Sequence, residues 1–132
     1  MCKVLLLSHG NLARELLATS QMIYGEVDGI DCISLLSGTD LAHYEEEILS
    51  KVQQSPEGIL VLVDIFGGTP FITASRIYNQ NQGKIDMAVV TGMNLPMVLE
   101  AMDSLQNMSV PELKESVIKC GAEGIIDLDE RV

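Results

Sequence analysis

Residues 58–63, Gly-Ile-Leu-Val-Leu-Val, carry no polar side chain, and this run constrains the fold more than any other feature. A strand sends successive side chains to opposite faces, so a run that is apolar throughout must be covered on both. Parallel sheets flanked by helices supply that cover. Val4-Leu5-Leu6-Leu7 and Met87-Ala88-Val89-Val90 repeat the pattern. Ile30 to Leu36 reads as a further strand, alternating Ile30, Cys32, Ser34 and Leu36 against Asp31, Ile33 and Leu35.

Amphipathic segments separate these runs. Residues 11–24 place Leu12, Leu16, Leu17, Ser20 and Ile23 at helical spacing, and Gly25 supplies a stop. Residues 40–54 do the same with Leu41, Tyr44, Ile48 and Val52, residues 71–79 with Ala74, Ile77 and Tyr78, and residues 94–106 form another helix. Ser109 followed three residues later by Glu112 is a capping box, with Pro111 in the first turn and Gly121 closing the helix. Gly124 to Leu128 reads as a last short strand. Strands alternating with helices define an α/β domain. With 132 residues, one domain spanning 1–132 is expected.

Composition narrows the function. The apolar fraction is 47% and the charged fraction 20%, the balance of a soluble globular domain. No run approaches the ~20 apolar residues of a membrane span, and Val4–Leu7 is far shorter than the ~7–15 residues of a signal-peptide core. A cytoplasmic chain with no membrane insertion is expected. A net charge of −11 disfavours nucleic acid and anionic lipid, whose phosphates call for lysine and arginine. Cys2, Cys32 and Cys120 show no ligand spacing, so Cys32 and Cys120 read as small core-facing residues and no metal or disulfide is expected.

Open parallel sheets build their sites beyond the carboxyl ends of the strands. Three such ends carry unusual residues: Ser8-His9-Gly10, Asp64-Ile65-Phe66-Gly67-Gly68-Thr69-Pro70, and Thr91-Gly92-Met93-Asn94. Imidazole changes charge near neutral pH, so His9 at a strand tip can offer a nucleophilic nitrogen. Asp64 can accept a hydrogen bond from the other, proton-bearing ring nitrogen, or merely cap its own turn; pairing with His9 favours the first. Gly67-Gly68-Thr69 before a helix offers unshielded amides, a hydroxyl and a positive dipole end, which suits an anion. The helix after Gly10 presents a second such end. His43, beside Glu45, Glu46 and Glu47, reads as a solvated residue, and Met93, Met97 and Met102 as core filling. Among cations, only Arg14 and Arg76 lie near these motifs. Nucleotide-binding loops are missing, which argues against an autonomous kinase and leaves a relay between proteins.

In order and spacing, Ser8-His9-Gly10, Val63-Asp64-Ile65-Phe66-Gly67-Gly68-Thr69-Pro70-Phe71 and Gly92-Met93-Asn94-Leu95-Pro96-Met97 resemble the enzyme IIA components of the mannose/fructose/sorbose family of the bacterial phosphoenolpyruvate-dependent phosphotransferase system. The resemblance implies phosphorylation of His9 through Nε2, with Asp64 on the other nitrogen. It implies that Thr69, Gly67, Gly68 and Gly10 surround the phosphoryl group, and that Phe66, where some relatives carry tryptophan, contacts partners. The donor would be the histidine-containing phosphocarrier protein, and the acceptor a separate enzyme IIB that serves membrane components IIC and IID. No cofactor is implied. The implied fold is a three-layer α/β domain, mostly parallel, whose last strand is antiparallel and exchanged in a homodimer. With the sequence running to Val132, a IIB component on a separate polypeptide is expected.

Two other classes use the same rim. A receiver-like domain phosphorylated on Asp64 would need an acidic pair for magnesium, and the first strand ends instead in Ser8-His9. A flavodoxin-like module would need aromatic side chains to sandwich a flavin, and the chain has no tryptophan.

Overall fold

The computed structural model describes residues 1–131; Val132, the last residue of the expected domain, lies outside it. Four strands form one parallel sheet: β1 (Lys3–His9), β2 (Ile30–Leu35), β3 (Ile59–Val63) and β4 (Met87–Val90), in the order β2-β1-β3-β4. Five helices, α1 (Leu12–Tyr24), α2 (Leu41–Gln53), α3 (Thr69–Gln80), α4 (Leu95–Ser104) and α5 (Val110–Glu123), connect and cover it.

Alternation along the two inner strands builds two cores. Val4 and Leu6 of β1 and Leu60 and Leu62 of β3 face α1, α4 and α5, where Ala13, Val98, Ala101, Leu105, Leu113 and Val117 meet them. Leu5, Leu7, Ile59, Val61 and Val63 face α2 and α3, against Tyr44, Ile48, Val52, Ala74 and Ile77. Every residue of β3 is buried, as its unbroken apolar run requires. Met93, Met97 and Met102 fill the first core. The result is three layers, helix–sheet–helix.

The strand order creates the feature that matters for function. From β1 the chain leaves through α1 to β2 at one edge; from β3 it leaves through α3 to β4 at the other. Connections that depart in opposite directions open a crevice between the carboxyl ends of β1 and β3. The two strands pair in register, Leu7 opposite Val63. Asp64 follows Val63 directly, and His9 lies two residues beyond Leu7.

Several local expectations change. Helix α3 begins at Thr69, with Pro70 in its first turn, where a missing N–H costs nothing. The capping box on Ser109 and Glu112 forms, but α5 runs through Gly121 to Glu123. Gly121 is there for packing: a Cβ on it would lie 2.5 Å from Met97 Cγ. The strand expected over Gly124–Leu128 does not form within the single chain. Residues 125–127 are irregular and Leu128–Arg131 make a short 3₁₀ helix. A strand needs a neighbouring ladder, and the tail's own bonds are local, Ile125 N–H to the Ala122 carbonyl and Glu130 N–H to that of Asp127. Cys32 and Cys120 are only partly buried; the fully buried thiol is Cys2.

Removing three core carbons from β3 tests this packing. Leu62→Ala, at a site with no exposure, is expected to lower unfolding free energy by about 2–5 kcal/mol in urea titrations. Met22→Ala, at a residue 87% exposed, is expected to change it by less than about 0.5 kcal/mol.

Candidate functional site: a histidine–carboxylate pair at the switch point

The end of β1 divides its side chains between the two faces. Ser8 is fully buried on the α1 side, and its hydroxyl oxygen accepts the Ala13 N–H at 2.7 Å. Asn11, at the N-cap position, makes no side-chain cap, so Ser8 performs that task from outside the helix. His9, next along the strand, projects the other way and is half exposed. Gly10, at φ +56°, then turns the chain. Its amide donates to the Leu35 carbonyl at 2.8 Å, so Gly10 is not a free anion donor; its part in the site is the turn.

Asp64 continues the β3 ladder by one bond, its amide donating to the Leu7 carbonyl. That places its carboxylate beside His9. Asp64 Oδ2 accepts both the His9 backbone N–H and ring Nδ1, each at 2.9 Å. Oδ1 accepts the Ile65 amide, also at 2.9 Å. Both sequence readings of Asp64 are therefore realised, one on each oxygen: it orients the ring and it caps its own turn. Burial pushes the Asp64 carboxyl up, but the His9 amide, the His9 ring and the Ile65 amide together outweigh it and hold the group below its ordinary value. A carboxylate acceptor at Nδ1 makes that nitrogen the proton carrier and leaves Nε2 with its lone pair.

Gly67 lies at φ +87° and Gly68 is the N-cap of α3, whose first turn has no side-chain cap. The opening amides of a helix lack intrahelical partners and carry the positive end of its dipole. Gly68 backs directly onto the Nε2 edge of the His9 ring, and Thr69 is the first helical residue. Phe66 is 75% exposed and Ile65 57%; the Phe66 ring leans on Phe71 with centroids 4.6 Å apart. The rim beside the histidine is thus apolar and open.

The third strand end contributes support instead of chemistry. Met93 N–H donates to the Val63 carbonyl, but its side chain enters the core. Asn94 accepts the Met97 amide as the cap of α4 and donates to the Gly121 carbonyl, tying α4 to α5. Arg76 is paired with Glu45 and Arg14 is exposed on α1. His43 is solvated and pairs with Glu47 one helical turn on. Among the described residues no cluster of ligating side chains could hold a metal. Two residues escaped sequence reasoning. Ser8 could have been found from the serine that interrupts an apolar strand at its tip. Tyr44 gave no such signal: burial, then the Asp64 and Glu47 charges, push its phenol well above the ordinary value, so it stays neutral behind the site.

This geometry equips a ring nitrogen to attack an electrophile and an anion to rest against a helix N-terminus. Comparison with known proteins gives that chemistry a family. Residues 3–118 match the family described as PTS system fructose IIA component. The chain is 31% identical over 115 residues to the fructose-specific EIIA component of the phosphotransferase system of Bacillus subtilis (strain 168), covering 86% of this chain and 77% of that protein. It is 31% identical over 121 residues to the mannose-specific EIIAB component of Escherichia coli (strain K12), covering 89% of this chain but only 36% of that longer protein. Among solved structures, phosphotransferase system component EIIA from Streptococcus agalactiae superposes with a TM-score of 0.91 at 29% identity, over 98% of this chain and 99% of that one. The chain belongs to the mannose/fructose/sorbose family of phosphotransferase-system EIIA components. No helix is long and apolar enough to cross a membrane among the described residues.

The depressed Asp64 pKa makes a prediction with a definite sign. A carboxylate held below its unfolded value contributes stability above that value, about pH 4, and loses it as pH falls through the folded value. Asp64→Asn is therefore expected to show a shallower loss of melting temperature on acidification below about pH 4 than the parent. Parallel acid limbs in the two proteins would mean that Asp64 carries no such linkage.

Proposed function

We propose that the chain is a phosphocarrier that accepts a phosphoryl group on His9 Nε2 from the histidine-containing phosphocarrier protein. It then passes the group to a histidine of a separate enzyme IIB, on the cytoplasmic side of a sugar transporter. The observation that carries this reading is the 2.9 Å contact between His9 Nδ1 and Asp64 Oδ2 beneath a half-exposed ring. In the first step the Nε2 lone pair attacks phosphorus, the N–P bond to the donor histidine breaks, and its electron pair stays on the donor ring. Nδ1 keeps its proton throughout. The cation thereby created on the His9 ring faces the Asp64 carboxylate, which favours it. The phosphoryl oxygens lie toward the α3 N-terminus, where the Gly67 and Gly68 amides and Thr69 offer donors. The second step repeats the first with His9 as leaving group. No metal or nucleotide is required, since the group arrives already activated as a phosphoramidate.

Phe66 and Ile65 form the surface on which donor and acceptor rest in turn. Both are exposed and apolar, and a carrier must present its histidine on a face that two different partners can cover and then release. The tail serves assembly: Ile125, Ile126 and Leu128 are exposed, and β4 is an edge strand. In a homodimer the tail of one protomer adds as an antiparallel strand to the β4 edge of the other, covering both. Light scattering is expected to give twice the chain mass, and deletion of residues 125–132 to give a monomer.

Incubation with phosphoenolpyruvate, the general phosphotransfer proteins and the chain tests the relay. Parent protein and His43→Ala are expected to take up one acid-labile, base-stable phosphoryl group, and His9→Ala none. Asp64→Ala is expected to fold and to accept on the order of 100-fold more slowly, through loss of ring orientation. Labelling of His9→Ala at the parental level would overturn the assignment.

A further inference from the structure

Gly68 meets the catalytic ring with the place where its side chain would be. An ideal Cβ built on Gly68 falls 2.6 Å from His9 Cε1 and 3.1 Å from Nε2, with Ile65 Cγ2 next at 3.5 Å. The first distance is well inside carbon–carbon contact, where the attraction of about 3.5–4.0 Å separation has become steep repulsion. The backbone of Gly68 gives no reason for glycine: φ is −80° and ψ 174°, extended geometry that any residue adopts. Gly67, its neighbour, is the reverse case, with a positive φ and open space around its missing Cβ. The two glycines of the loop are therefore present for different reasons.

We propose that Gly68 is a positioning residue: its lack of a side chain lets the His9 ring occupy the one orientation in which Nδ1 meets Asp64 while Nε2 lies at the mouth of α3. This deepens the phosphocarrier reading, which treats Gly68 only as a backbone donor. The ring is fixed on two sides. Asp64 Oδ2 holds Nδ1, and the bare α3 N-cap closes behind Cε1 and Nε2. A methyl group at residue 68 must drive the ring outward, since the ring is half exposed and can swing into solvent. That movement breaks the bond from Nδ1 and carries Nε2 away from the helix amides. Amide donors at residue 68 survive the substitution, so donation and space can be separated.

The experiment is a double-mutant cycle on stability combined with a transfer assay. Gly68→Ala is expected to lower the melting temperature of the parent but to leave that of His9→Ala unchanged or raise it, because alanine suits the extended backbone and loses less freedom on folding. The same substitution is expected to slow phosphoryl acceptance on the order of 100-fold, matching Asp64→Ala. Should Gly68→Ala fail to fold, recovery of folding in the His9→Ala, Gly68→Ala double variant reports the same coupling. Equal effects on stability in both backgrounds, or parental acceptance by Gly68→Ala, would overturn the proposal. The stability cycle does not involve phosphorylation, so a parent that accepts no phosphoryl group would sink the phosphocarrier reading and leave this contact to be judged by the cycle.

Discussion

One carboxylate oxygen that accepts twice from one residue is the interaction on which the site depends. Asp64 Oδ2 takes the backbone N–H and the ring Nδ1 of His9 together. The first bond fixes where the residue sits and the second fixes how its ring turns. Neither could form if the strands were offset. Leu7 stands opposite Val63 in the parallel ladder, and a slip of one residue would send either His9 or Asp64 to the other face of the sheet. Register, in turn, is set by the two apolar cores, because every side chain of β3 is buried. The chemistry at the rim is therefore an expression of packing in the middle of the sheet.

Around that pair the fold arranges two helix N-termini with different fates. The start of α1 is satisfied from below by the buried Ser8 hydroxyl. The start of α3 has a glycine N-cap and no side-chain cap, so its donors remain open to an anion. In the proposed transfer, charge on the phosphoryl group has one favoured direction, toward α3, and the proposed role of Gly68 is to leave room for the ring to face that way. The α4–α5 pair serves packing. Asn94, Met97 and Gly121 join those helices closely, and the motif that contains them serves the scaffold.

How much of this the sequence discloses follows from which forces are local. The buried strands were legible because a wholly apolar run has one structural use, and the capping box because both partners lie within four residues. His9 and Asp64 could be paired from sequence because each closes an apolar run, Asp64 directly after Val63 and His9 one residue past Ser8, and parallel α/β sheets place such ends on one rim. Gly121 misled as a helix stop: glycine ends helices through positive φ, but here it admits Met97 from another helix, a contact 24 residues away in the chain. Gly10 suggested an anion donor, yet its amide is taken by Leu35 across the sheet edge. The tail from Gly124 carries the apolar residues of a short strand, but pairing is not a property of one segment, and within one chain it finds no ladder. Gly68 was read as a donor because glycine pairs suggest exposed amides; only coordinates reveal the ring lying where a Cβ would be.

The central claim concerns a proton, and ring nitrogen spectroscopy locates it most directly. Long-range ¹H–¹⁵N correlation of the unphosphorylated protein, at a pH where the His9 ring is neutral, distinguishes the two tautomers. The account predicts a protonated Nδ1, lost to a mixture in Asp64→Ala, and an Nε2 with the shift of an unprotonated nitrogen. A proton on Nε2 in the parent protein would contradict it, since the nitrogen that must attack would then have no lone pair to offer.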